Sequence, residues 1–148
     1  MNDYLSNTIL GNAEAMVKEA EIRRRATRYT EILSISLSIK AMHVKTRSYA
    51  QHMALDETFS ALNDSLDKFL ECVQGYYRRK DNHQPDLVNG NVAVEVASEG
   101  GVFQAVKRLE DRFKEASDPL VKGVSPLVSL QDDVLNNFYQ LYYRLDLK

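Results

Sequence analysis

The sequence predicts an all-α protein: four long helices packed as a bundle, with a helical extension ahead of them. Three observations carry this reading. Leu55, Phe59, Leu62, Leu66, Phe69 and Val73 recur every three to four residues and form one apolar stripe. The same spacing returns in Val102, Val106, Leu109 and Phe113, and again in Leu130, Val134, Phe138, Leu141 and Leu145. Only six Gly and three Pro interrupt 148 residues, which leaves room for long elements.

Taken in order, residues 3 to 24 read as a helix broken near Gly11 that ends in the charged run Glu19 to Arg25. Residues 27 to 46 form the first bundle helix, although Leu33, Ile35, Leu37 and Ile39 alternate with serines as a strand would. The helical reading sets Tyr29, Leu33, Ser36, Leu37, Lys40 and His43 along one side, with serines allowing close helix contact. Ser48-Tyr49-Ala50-Gln51 has the form of a capping box and opens the second helix. That helix approaches its end near Gly75, with Tyr76 and Tyr77 able to extend it. Residues 80 to 100 are a polar connection, in which Val92, Val94 and Val96 could make an extended piece. The third helix stops at Asp118-Pro119, because proline disfavours a helical residue before it. Ser125 as cap with Pro126 in the first turn starts the fourth. The chain thus divides into an extension, 1–26, and a bundle, 27–148.

Connection lengths predict the topology. Short turns make helices one and two antiparallel, and likewise three and four. The middle link of about 20 residues can stretch to about 66 Å, whereas a helix of about 25 residues spans about 37 Å. A long crossover that makes helices two and three parallel gives the ferritin-like arrangement.

Composition narrows the function classes. A net charge of −2, with 44% hydrophobic and 27% charged residues, is ordinary globular composition and argues against gripping nucleic acid with the whole surface. Cys72 is the single cysteine, so no internal disulfide forms. No apolar run approaches the roughly 20 residues of a membrane helix, and the first residues lack the order of a secretory signal. The expected location is the cytoplasm, bacterial or phage-infected.

One row of side chains on the second helix invites a chemical reading. With His52 at zero, Asp56, Asp67 and Glu71 fall at about 40°, 60° and 100° around the helix. All four lie on one strip beside the apolar stripe. His52/Asp56 and Asp67/Glu71 are each spaced i,i+4, so either pair can converge on one ion. The two pairs are about 22 Å apart along the axis, so each is half a site. A two-fold axis would set His52 and Asp56 of one copy against Asp67 and Glu71 of another. His43 adds a further nitrogen, and mixed nitrogen and carboxylate donors suit ferrous iron. Acidic pairs on a helix border are commonly only a solvated edge.

Met42-His43, Ser48-Tyr49-Ala50-Gln51-His52, Asp56, Asp67 and Glu71 together resemble the Dps-type miniferritins of the ferritin-like superfamily, with a likeness also to phage-encoded ferritin-like proteins. The resemblance implies an inter-subunit ferroxidase site at a dimer two-fold, with iron as its metal. His52, Asp56, Asp67 and Glu71 would be catalytic and metal-binding, and His43 an additional ligand. It further implies a homo-oligomer, at least a dimer and in that family a cage of twelve, that oxidises and stores iron. Residues 1 to 26 have no counterpart there.

Lys18, Arg23, Arg24, Arg25 and Arg28 could touch DNA phosphates. Glu14, Glu19, Glu21 and Glu31 are interleaved with them, which favours a solvated helix with internal ion pairs. The competing expectation is a non-catalytic helical structural or interaction protein, of the phage-encoded kind, that keeps the ferritin-like fold and docks a partner through residues 1 to 26.

Overall fold

The computed structural model describes residues 2–81, 93–97 and 99–147, with side chains from residue 5 onward. Four helices make up the fold: α1 (Asn2–Lys45), α2 (Tyr49–Asp81), α3 (Gly101–Val121) and α4 (Ser125–Asp146). No strand occurs among the described residues, and Val94 and Val96 lie in irregular backbone. Val92 and His83 fall outside the described residues.

α1 departs most from expectation. The expected break near Gly11, and the boundary between residues 24 and 27, are absent: one helix of 44 residues runs through both. A helical glycine costs only about 1 kcal/mol relative to alanine, and Arg24-Arg25-Ala26-Thr27 contains no breaker. The buried side also differs. Tyr29, Ile32, Ile35, Ile39 and Met42 face the core, whereas Leu33 and Leu37 are 46% and 55% exposed. The strand-like alternation arose because Ser34 and Ser38 are buried beside the isoleucines. Their hydroxyls donate to the backbone carbonyls of Glu31 and Ser34, which is how a helix interior accommodates serine.

Polar contacts fix the helix directions. Arg28 of α1 reaches the Glu115 carbonyl of α3, and Arg112 donates to the Ser34 hydroxyl at 2.8 Å, so α1 and α3 run antiparallel. Asn137 of α4 bonds to the Ala61 carbonyl and the Ser65 hydroxyl, and Arg144 donates to Thr58, so α2 and α4 run antiparallel too. α1 packs on α2 and α3, α4 packs on the same two, and α2 and α3 barely touch across the diagonal. Because α1 opposes both, α2 and α3 run parallel, with Asp81 and Gly101 at opposite ends of the bundle. At the centre Phe113 meets Phe69 edge-on, with ring centroids 5.5 Å apart, and lies 6.3 Å from Phe138.

Two helix ends correct the sequence reading. α3 continues through Pro119 to Val121 instead of stopping at Asp118-Pro119. Proline has no N–H for the carbonyl four residues back, which is Glu115; Arg28 Nη1 donates to that carbonyl instead, at 3.2 Å. α4 is capped by Val124 without a side-chain bond, so Ser125 is its first residue and not its cap. α2 runs on to Asp81, past Gly75. Its last residue forms a 2.6 Å ion pair with buried Arg25, whose guanidinium lies 4.2 Å from the Tyr77 ring centroid. That cluster marks where α1 enters the bundle. No described helix is long and apolar enough to cross a membrane.

Gly75 is an exposed helical residue, and a Cβ there meets nothing within 4 Å. Gly75→Ala should therefore stabilise the fold by about 0.5–1 kcal/mol, read as a raised denaturation midpoint. A lowered midpoint would show that the glycine serves some contact.

Candidate metal centre

The site begins with a three-residue turn. α1 ends at Lys45, Thr46-Arg47-Ser48 reverse the chain, and α2 starts at Tyr49. The Thr46 N–H bonds back to the Met42 carbonyl at 2.9 Å. The Ser48 N–H donates to the Thr46 hydroxyl, which in turn donates to Gln51 Oε1 at 2.8 Å. The expected capping box is half formed. Ser48 accepts from the Gln51 N–H at a long 3.4 Å, while the Gln51 side chain serves Thr46 and not the backbone.

This turn brings His43 against His52. Their Nε2 atoms are 3.1 Å apart, and the ring centroids 4.1 Å. His52 Nδ1–H donates to the His43 carbonyl at 3.2 Å, which fixes the tautomer and leaves a lone pair on His52 Nε2. A backbone carbonyl behind the ring is the usual support of a metal-ligating histidine. Without an ion, His43 Nε2–H donates to that lone pair. Among the described residues His43 Nδ1 is buried with no partner. Asp56 stands one turn beyond His52 on α2, and its Oδ1 is 3.4 Å from His43 Nε2.

The Nε2–Nε2 separation falls in the range of two ligands around one ion. Imidazole nitrogens bonded at about 2.1 Å stand about 3.0 Å apart at a right angle and about 3.4 Å apart in a tetrahedron. Among the described residues no three His, Cys, Asp or Glu side chains are gathered into a closed metal-binding group. The histidines form a pair, and Asp56, more than half exposed, is a third donor beside it. Burial lowers the His43 pKa, and the neighbouring His52 and Lys40 lower it further against the opposing pull of Asp56. The ring is therefore neutral near pH 7, as a ligand must be.

Asp67 and Glu71 do not join this group. Both lie exposed farther along α2, about 22 Å away along the helix axis. Of the basic cluster, Arg23 pairs with Glu19, Arg25 is buried on Glu21 and Asp81, and Arg28 serves Glu115. The sequence signal for the histidine pair is their near-equal distance from the turn, because such residues face each other in a helical hairpin.

The molecule is thus an all-helical bundle protein with a histidine pair at one end. The chain belongs to the family of unknown function DUF5856, whose model matches residues 43–145. It is 35% identical over 107 residues to an "Uncharacterized 14.6 kDa protein in mobD-ri intergenic region" of Enterobacteria phage T4, covering 72% of this chain and 75% of that one. No solved structure matches. These matches correct the expected kinship with Dps-type miniferritins: the family is a different one, and short ligand spacings on one helix had suggested the other.

His43 should titrate below the ordinary histidine value of 6.5. Because the folded state resists its protonation, its contribution to stability is intact above that value and is lost as the pH falls through the lowered pKa. His52→Ala removes one of the lowering influences, so NMR titration of the His43 ring should show its midpoint move up. A midpoint that stays or falls would contradict the pairing.

Proposed function

We propose that this protein binds a divalent transition-metal ion between α1 and α2, through Nε2 of His43, Nε2 of His52 and a carboxylate oxygen of Asp56. The single observation behind this reading is the 3.1 Å approach of the two Nε2 atoms, with the tautomer of one already set for ligation. Two imidazoles and one carboxylate on one side, with positions left open, form the donor set typical of ferrous iron. Iron is therefore the metal proposed. The three donors come from two turns of α2 and the last turn of α1, so the ion would also tie the hairpin. The direction of the helices supports a ferritin-like order of the bundle, as a likeness of topology alone.

Anaerobic titration with ferrous iron, and with cobalt(II) as a coloured stand-in, tests the proposal. About one ion per chain should bind. His43→Ala and His52→Ala should each weaken affinity by at least about tenfold, because each removes a direct ligand. The Asp67→Ala/Glu71→Ala double variant should bind as the parent does. Absence of binding, or binding indifferent to His52→Ala, would refute the site.

A further inference from the structure

The first half of α1 stands outside the bundle. Residues 5 to 24 are exposed except for half-buried Ile22, a helix about 30 Å long. Its apolar residues are not scattered. Ile9-Leu10, Ala13-Glu14, Met16-Val17 and Ala20-Glu21 form one pattern stated twice, seven residues apart. A seven-residue repeat keeps a stripe facing one straight neighbour, which is the signature of a helix packed on another helix. Among the described residues this part of α1 has no neighbour: Ile9, Leu10, Met16 and Val17 are each at least 61% exposed.

We propose that this stripe pairs with the same stripe of a second copy, antiparallel, to make a two-fold dimer. Size complementarity selects the partner. In antiparallel order Leu10 lies over Ala20 of the other chain and Val17 over its Ala13, a large residue on a small one at each level. The stripe is thus its own complement, as an isologous contact requires. Parallel order would instead stack alanine on alanine and set Arg24, the next residue in the repeat, against its own copy. It would also crowd both bundles at one end, whereas antiparallel order sends them to opposite ends. At about 100 Å² for each of Ile9, Leu10, Met16 and Val17, the stripe hides on the order of 400 Å² per chain and about 800 Å² per pair, which places the contact at the weak end of protein interfaces.

Light scattering after size-exclusion chromatography tests this on the full chain. The parent should run as a dimer. Leu10→Glu/Val17→Glu should run as a monomer with unchanged helical circular dichroism, since both residues lie outside the bundle core. For orientation, Leu10→Cys and Ala20→Cys chains, each in a Cys72→Ser background, should form a disulfide-linked pair when mixed and oxidised. Neither should cross-link alone, because residue 10 lies about 15 Å along the axis from its own copy. A monomeric parent, a dimer that survives the double substitution, or cross-linking of Leu10→Cys alone would each overturn the proposal.

Discussion

The turn Thr46-Arg47-Ser48 is the constraint on which the rest depends. It is too short to let α2 do anything except fold back along α1, and its own bonds leave little play: Thr46 is held by Met42, and it holds Ser48 and Gln51 in return. Residues on either side at similar distances from the reversal are forced together. His43 and His52 are such a pair, and the donor from His52 Nδ1 to the His43 carbonyl sets both the ring and its protonation. Burial then keeps His43 neutral. One local reversal thus supplies the position of both rings, the tautomer of His52 and the neutral state of His43.

Elsewhere the bundle is held by apolar burial, and its helices are aligned by long polar side chains that answer specific backbone needs. Arg28 satisfies a carbonyl stranded by Pro119, and Arg112 reaches Ala93 in the link as well as Ser34 in α1. Glu95 anchors the described part of that link, accepting two bonds from Arg108 while its N–H donates to Ser38. The Arg108 bonds hold its carboxyl below the usual carboxylate range. α1 thereby has two parts: residues 25 to 45 are a wall of the bundle, and residues 5 to 24 are exposed among the described residues, Ile22 being half-buried.

Much of this was legible in the residues. The α2 stripe, with Leu55, Leu62, Leu66, Phe69 and Val73, is buried as its spacing indicated. Connection lengths permitted the parallel run of α2 and α3 without compelling it. The facing side of α1 was misjudged because buried serines disguised the isoleucine face, and buried polar residues are invisible to a hydrophobicity pattern. Continuity of α1 was missed because a glycine and a charge run were read as punctuation. At the candidate site His43, His52 and Asp56 were identifiable as donors, but their mutual approach is tertiary. Spacing along one helix linked His52 to Asp56 and suggested Asp67 and Glu71 as the complement. It could not show that His52 turns back towards α1.

If the two imidazoles at the hairpin face one ion, anomalous X-ray diffraction from crystals grown with cobalt(II), measured at the cobalt edge, will show one strong peak per chain, about 2.1 Å from Nε2 of both His43 and His52. Density confined to Asp67 and Glu71, or an unbroken hydrogen bond between the rings with no peak beside them, would contradict it.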